Sequence, residues 1–405
     1  MVGAPLTQMK ITDIQVINLR HVYSECQGFA YAGGRVTARV TSLVLVRTDV
    51  GETGIGAAYS HPDLVKLIIE QHLAPHLVGE DPARVEELWR RMANLTLWYG
   101  RKGVAISALG GVDIALWDLR GKQLGQPLWR LLGGHNSQVP AYASGLFWAD
   151  DVATLEEEAR QHRRRGFHRV KMRLGRSYAY DMAALDAVLK GVGHDGTVLV
   201  DGSHRYSVDQ AARISGELAT RPVLWFEEPF APDDLDSYAS LRARTTAVAL
   251  AAGENEFGQQ GFRELMRGPL VDIVQPDACR TGGITEVLRI ASRAQAQGLR
   301  VAPHTWSDAV ALTANAHVVA SIENGLTVEV DQTGNPAIDE LLRGGLQIAE
   351  GHLELGDRPG LGIELDEDVV ERLRVPEGEL MRDGNYSDLV FGAAFRNEAP
   401  PYDGA

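Results

Sequence analysis

The hydrophobic pattern changes character once along the chain. Residues 10–60 carry two β-branched runs, ITDIQVINL and SLVLVRTDVGETGIG, and the second contains Asp49-Val50-Gly51 as a hairpin turn. This predicts antiparallel strands. Between the runs lies a segment from Arg20 to Arg39 with Tyr23, Glu25, Phe29, Tyr31, Gly33 and Gly34. A polar loop of that length inside a compact domain is usually functional or mobile, so a lid is expected. Helical patterns follow over Pro62–His76 and Asp81–Trp98, the latter opening on Asp81-Pro82 as cap and first helical residue. In Ala105–Gly134 the residues Ala108, Val112, Ala115, Leu116 and Leu119 fall near a 3.6 period, the mark of a buried helix. Its acids, Asp113 and Asp118, read as structural, because nothing in their spacing makes them ligands.

From Val139 eight short apolar runs recur about every 25 residues: VPAYASG, RVKMRLG, TVLVDGS, VLWFEEP, VALAAGEN, VDIVQPDA, RVAPHT and LTVEVD. Amphipathic segments separate them, and Ser207–Gln210 has the form of a capping box. The basic run His162–Arg165, closed by Gly166, is the last turn of a helix, where cations suit the dipole. Alternating strand–helix units of this length predict an α/β fold, a (β/α)8 TIM barrel. The expected division is an N-terminal α+β domain over 1–135 and a barrel over 136–354. A tail over 355–405, containing Pro359-Gly360-Leu361-Gly362-Ile363, returns to the first domain, and Asn397–Ala405 are expected to fray.

Composition narrows the function classes. The chain has 405 residues, 44% hydrophobic and 23% charged, with a net charge of −14. That balance argues against nucleic acid as a partner, although a local cluster of cations and metal still permits an anionic substrate. Two cysteines, Cys26 and Cys279, are too few for a disulfide framework or a cysteine-rich zinc site. The N-terminus lacks a continuous apolar signal-peptide region, and no run approaches the length of a membrane span. A cytoplasmic setting is the default expectation.

In such a barrel the C-terminal strand ends converge on one face, where chemistry sits. Reading off those ends places Lys171 and Arg173 on one face of strand two. Asp201 ends strand three, Glu227 strand four and Glu254 strand five, with Asp277, His304 and Glu329 on strands six to eight. Acids ending two successive buried strands are costly unless charge compensates them. Three carboxylates, Asp201, Glu227 and Glu254, without histidine or cysteine among them, suit a hard cation: Mg2+ first, Mn2+ next, zinc disfavoured. The alternative is a ring of salt bridges in which Lys171 and Arg173 neutralise the acids; two cations against three acids leave charge over. Asp277 beside His304 would fix the imidazole tautomer and make His304 a general base. Arg173 stays protonated and binds or polarises a carboxylate, whereas Lys171 serves as a base only if neighbouring cations lower its pKa. Ser203 and His204, following Asp201, are either substrate contacts or loop hydrogen-bonders.

These residues together resemble the enolase superfamily, specifically its mandelate racemase subgroup, over nearly the whole chain. The resemblance rests on ALGGVDIALWDLRGKQLGQPLWRLLG from Ala108, FEEP from Phe226, GEN from Gly253, PDACRTGGIT from Pro276, the PGLGI tail, and the 27-residue spacing from Asp277 to His304. It implies an α+β capping domain over a modified barrel, Mg2+ on Asp201, Glu227 and Glu254, and Glu228 and Asn255 as neighbours of the ligands. It also implies removal of the proton α to a substrate carboxylate, giving an enediolate stabilised by Mg2+. Glu329 would lie on the substrate carboxylate side, and Arg20, His21, Tyr23 and Tyr59 would be specificity contacts from the capping domain. A homo-oligomer, dimer or octamer, acting on a small-molecule carboxylate is expected. The subgroup's second-strand Lys-x-Lys is here Lys171-Met172-Arg173, and its Asn two after the first ligand is here Ser203. One good base then suits dehydration of an aldonate or aldarate to a 2-keto-3-deoxy acid. Racemisation, epimerisation or cycloisomerisation with Lys171 and His304 is the alternative, and a catalytically silent acid-sugar-binding barrel a further one.

Overall fold

β-Branched residues on alternate positions build the first layer. Strand β1 (Ile11–Val22) is followed by a short hairpin, β2 (Phe29–Tyr31) and β3 (Gly34–Val36), and then by β4 (Ala38–Thr48) and β5 (Thr53–Ala58). β4 pairs antiparallel with both β1 and β5. The computed structural model describes residues 9–403 apart from 25–26, 246, 269, 382–384, 387–388 and 391–400. The turn at Asp49–Gly51 closes the β4–β5 hairpin, with Gly51 at φ +85°. A buried helix, Val104–Leu124, lies directly on β5. A Cβ at Gly56 would meet the Gly111 carbonyl oxygen at 2.1 Å, so glycine permits the close approach.

The helical pattern of residues 62–98 is realised with changes. Pro62–Leu67 is α-helical and continues as a π turn over Ile68–Leu73. The next helix begins at Val85, not at Asp81. Asp81 instead closes a turn, accepting from the Ala83 N–H at 2.9 Å; its own side chain satisfies the local backbone and delays the helix. The helix predicted over 105–134 is broken at Gly125, which adopts φ +62° and caps Val104–Leu124, and a short turn over Leu128–Leu131 follows.

The barrel strands are β6 (Gln138–Ser144), β7 (Arg169–Arg173), β8 (Thr197–Asp201), β9 (Val223–Glu227), β10 (Ala249–Ala252), β11 (Ile273–Val274), β12 (Arg300–Val301) and β13 (Val328–Asp331). Parallel pairing runs from β6 through β12 in chain order, and β13 pairs parallel with β6. The ring closes between β12 and β13 through a bridge of Val301 to Gly325. Two separate apolar clusters pack it, a small one of inward-facing residues including Tyr142, Leu199 and Trp225, and a large one between the strands and the helices. β11 and β12 are only two residues long because Pro276 and Pro303 follow almost at once and lack the N–H that a ladder needs.

The tail crosses back to the first layer: the Leu361 N–H donates to Asp118 at 2.8 Å and the Val375 N–H to the Asn18 carbonyl at 2.9 Å. The end of the chain departs from the frayed expectation where it is described. Tyr402 is buried, its ring 4.8 Å from that of Tyr206, so residues 401–403 lie against the barrel helices. The aromatic side chain supplies the burial that holds a chain end in place.

Candidate active site

Parallel register sets the first layer of the site. Arg173 is opposite Asp201, and Asp201 opposite Glu227, on three neighbouring strands. Their side chains therefore stand side by side at the C-terminal mouth. Glu227 pairs with Ala251, so Glu254 stands three residues further along the next strand. Carboxylate oxygens of Asp201, Glu227 and Glu254 lie within 4.8 Å of one another.

The cations partly offset these acids. Lys171 is fully buried, with its Nζ 2.7 Å from Glu227 Oε1 and 2.7 Å from Glu329 Oε1. Arg173 Nη1 lies 3.1 Å from Asp201 Oδ2. Trp225, two residues before Glu227 and so on the same strand face, donates to Glu227 Oε2 at 2.8 Å. Glu254 is the carboxylate left over: among the described residues no hydrogen-bond partner meets its Oε2. Burial, with the charges of Glu228 and Glu227, raises its pKa to about 8 against the lowering effect of His304 and Lys171. Burial also pushes Glu329 upward, yet Lys171, His304 and Arg173 bring it down to about 2. Glu329 is thus held as a carboxylate beside Lys171, and its Oε2 accepts the Thr305 N–H at 3.0 Å. Desolvation opposes the charge on Lys171, but Glu227 and Glu329 hold its pKa above the usual lysine value.

These facts fit a hard divalent cation. An orphaned buried carboxylate oxygen beside two further carboxylates needs positive charge, and an all-oxygen donor set suits Mg2+.

Opposite lies the imidazole pair. His304 Nδ1 is 2.9 Å from Asp277 Oδ2. Burial lowers the His304 pKa, but the Glu254 charge and the Asp277 hydrogen bond raise it to about 9. With Asp277 accepting from Nδ1, the lone pair of neutral His304 is on Nε2.

A cavity of about 360 Å³ connects these groups. Arg173, Asp201, Glu254 and His304 line it, with Ser203, His204, Glu228 and Asn255 on the loops beside them. Ser203 and His204 both take left-handed backbone angles, φ +49° and +59°. That turn brings the Ser203 N–H to Asp201 Oδ1 at 2.8 Å and His204 Nε2 to Glu228 Oε2 at 2.5 Å. Burial lowers the His204 pKa, but Glu228 overcomes it and raises it to about 9, leaving a cation at the cavity wall. Asn255 donates to the same Glu228 oxygen at 2.9 Å.

The capping-domain wall differs from the sequence expectation. Phe29, Tyr31, Ala32 and Gly33 of the β2–β3 hairpin line the cavity, with Phe147 and Trp306 of the barrel. The Trp148 N–H donates to the Ala30 carbonyl at 3.0 Å and seats the hairpin. Arg20, His21, Tyr23 and Tyr59 do not line it. Pairing of β1 with β4 turns Arg20 towards Glu379 at 2.6 Å, and His21 packs edge-on against Tyr23. The Tyr23 hydroxyl is 2.8 Å from Thr333 Oγ1, and Tyr59 is buried beneath the Arg280 guanidinium. Tyr23 and Tyr59 thus join the cap to the barrel rim, while Arg20 ties β1 to the tail. Sequence reasoning missed Phe29 and Tyr31 as lining residues, although both lie in the segment read as a lid. Trp225 had a usable signal in its two-residue spacing from Glu227; Phe147, Trp306 and Asn315 had none.

Comparison with known proteins agrees with this architecture. Residues 16–133 match the mandelate racemase/muconate lactonizing enzyme N-terminal domain, and residues 154–369 the enolase C-terminal domain-like family. The chain belongs to the mandelate racemase/muconate lactonizing enzyme family of the enolase superfamily. It is 33% identical to the D-galactarolactone cycloisomerase of Agrobacterium fabrum over 91% of this chain and 100% of that one. It is 35% identical to the arabinonate dehydratase of Saccharolobus solfataricus, covering 81% of this chain and 89% of the relative. The crystal structure of a racemase from Streptomyces coelicolor A3(2) with bound magnesium superposes with a TM-score of 0.83, at 28% identity over 90% of this chain and 100% of that one. No helix among the described residues is long and apolar enough to cross a membrane.

Proposed function

We propose that this protein removes the proton α to the carboxylate of an acid sugar and expels the β-hydroxyl, yielding a 2-keto-3-deoxy acid. The observation that carries the reading is the asymmetry of the cavity. His304, backed by Asp277, presents an imidazole to it, while Lys171 is buried behind the acids with its ammonium committed to Glu227 and Glu329. One base on one face suits elimination, and a two-base racemisation would need Lys171 free.

Asp201, Glu227 and Glu254 would hold Mg2+, which when bound supplies positive charge against the negative charge that grows on the substrate carboxylate. His304 Nε2 accepts the α-proton while Asp277 keeps Nδ1 protonated. As the Cβ–O bond breaks, the imidazolium returns a proton to the departing hydroxyl, which leaves as water, and the enol tautomerises to the ketone. Arg173 and protonated His204 bind substrate oxygens, and the aromatic hairpin excludes water from the reacting carbon. Cycloisomerisation of a sugar-acid lactone is the second reading, supported by the full-length similarity to a cycloisomerase; it uses the same base.

The test is a screen of mono- and diacid sugars with Mg2+ for semicarbazide-reactive 2-keto products, alongside α-proton exchange in D2O. His304→Asn should lower the exchange by about 10³-fold or more; exchange at the wild-type rate would sink the assignment of the base. A homo-oligomer belongs to this reading, supported by the exposed apolar run Leu97–Tyr99, in which Trp98 is 96% exposed. A monomer by light scattering would refute that part.

A further inference from the structure

The Asp277–His304 pair is not held by the barrel ladder. β11 and β12 pair only through Ile273 with Arg300 and Val274 with Val301. Each functional residue comes three positions later, beyond Pro276 or Pro303. With no strand hydrogen bonds at their level, the two backbones need another tie if the side chains are to keep a 2.9 Å contact.

Asn315 supplies that tie. It sits in the helix Ala309–Ser321 and is fully buried in the stretch ALTANAHVVA, whose other polar side chains are Thr313 and His317. Asparagine is a poor helix former, and its burial is costly unless every polar atom is used. Here every polar atom is used. Asn315 Nδ2 lies 3.0 Å from Asp277 Oδ1, 3.1 Å from the His304 carbonyl oxygen and 3.0 Å from Thr305 Oγ1. Its Oδ1 accepts the Ala278 N–H at 3.0 Å. One amide thus grips both sides of the gap between the sixth and seventh strand ends. Asp277 Oδ1 also receives the Cys279 N–H at 3.1 Å and the Cys279 thiol at 3.0 Å. That oxygen is saturated, which leaves Oδ2 to His304 alone.

We propose that Asn315 is a positioning residue for proton transfer, clamping Asp277 and the His304 backbone so that the imidazole keeps its Nδ1–H towards Asp277 and its Nε2 lone pair towards the cavity. The proposal rests on the reading of His304 as the base, but its structural content is separable from it. Asn315 touches neither cavity nor metal ligands; Glu254, Glu329 and Asp277 are the charged groups that bear on His304 electrostatically.

The experiment compares wild type with Asn315→Leu, nearly the same size but without the amide. The readout is ¹⁵N imidazole NMR of the Mg2+-loaded full-length protein, with the His304 signals assigned by their loss in His304→Asn. Wild-type neutral His304 should be almost wholly the Nδ1–H tautomer, and Asn315→Leu a mixture of both. With an acid sugar that turns over, kcat should fall about 10- to 100-fold with KM and Mg2+ affinity within about twofold, the usual scale for losing an outer orienting contact. Full retention of the Nδ1–H tautomer in Asn315→Leu overturns the proposal, as does an equal loss in kcat and Mg2+ affinity. If Asn315→Leu does not fold, Asn315→Ala removes the amide with a strong helix former and adds no charge. It should show the same tautomer mixing, and its absence likewise overturns the proposal. If His304 is not the base, the tautomer shifts while turnover of His304→Asn persists, which separates the two failures.

Discussion

Two sets of buried carboxylates in this molecule have opposite fates. In the capping layer, Asp113 is fully buried but accepts from the Thr285 N–H at 2.9 Å and from Thr285 Oγ1 at 2.6 Å. Asp118 receives the N–H groups of Ile55 and Leu361 and the ammonium of Lys122. Each carboxylate fastens the long helix to a different part of the chain. At the barrel mouth Asp201, Glu227 and Glu254 crowd together, and the last keeps an oxygen without a partner among the described residues. Burial alone does not separate structural acids from ligands. Crowding does: Asp201 and Glu227 also accept hydrogen bonds, but the three acids at the mouth share one site, whereas Asp113 and Asp118 belong to no such carboxylate cluster among the described residues.

The largest effect should come from the unsatisfied acid. Glu254→Gln should lower Mg2+ affinity by about 10²-fold or more and activity with it, yet leave the melting temperature of the metal-free protein unchanged or higher. A large drop in metal-free stability would place Glu254 with the structural acids. Asp113→Ala should do the reverse. Removing it strands the donors of Thr285, so a loss of about 1–3 kcal/mol in denaturant unfolding is expected, with Mg2+ affinity by calorimetry within about twofold. Weakened Mg2+ binding there would break the contrast.

A pH series sharpens it further. Glu254 is raised to about 8 without metal, and its ordinary value is 4.5. An acid whose folded pKa is raised is easier to bury protonated. Metal-free stability should therefore be greatest below that ordinary value and fall as pH climbs towards about 8. Mg2+ binding must expel the proton, so affinity should rise about tenfold per pH unit up to that point and then level off. A flat affinity profile between pH 6 and 8 would contradict the orphaned state of Glu254. The smallest effect belongs to the hairpin. Phe29→Ala removes one aromatic wall and should raise KM about 5- to 10-fold with a minor change in kcat, the lower end of the range, about 1 kcal/mol, for an apolar pocket contact. An unchanged KM would detach the hairpin from substrate binding.

The strand-end residues were legible because a parallel barrel converts sequence into position by a simple rule: one residue at the end of each apolar run faces the same mouth. Asp201, Glu227 and Glu254 needed nothing more than that. Asp113 and Asp118 were legible as structural only by default, since their partners, Thr285 and Leu361, are 172 and 243 residues away. The capping contacts went astray for the same reason. Arg20, His21 and Tyr23 sit at the strand end nearest the lid in sequence, but pairing with β4 directs Arg20 to the tail and Tyr23 to Thr333, while Phe29 and Tyr31 on the hairpin reach the cavity.

What the amino-acid sequence alone determined is the period of the fold and the chemistry brought to the barrel mouth, because both follow from local spacing and strand direction. Tertiary structure decided which charges are satisfied. Lys171 became a buried counterion of Glu227 and Glu329, Glu254 was left short of donors, and a buried asparagine came to hold two strand ends together. Each outcome depends on distances between segments far apart in the chain, and only the packed arrangement of cap, barrel and tail sets those distances.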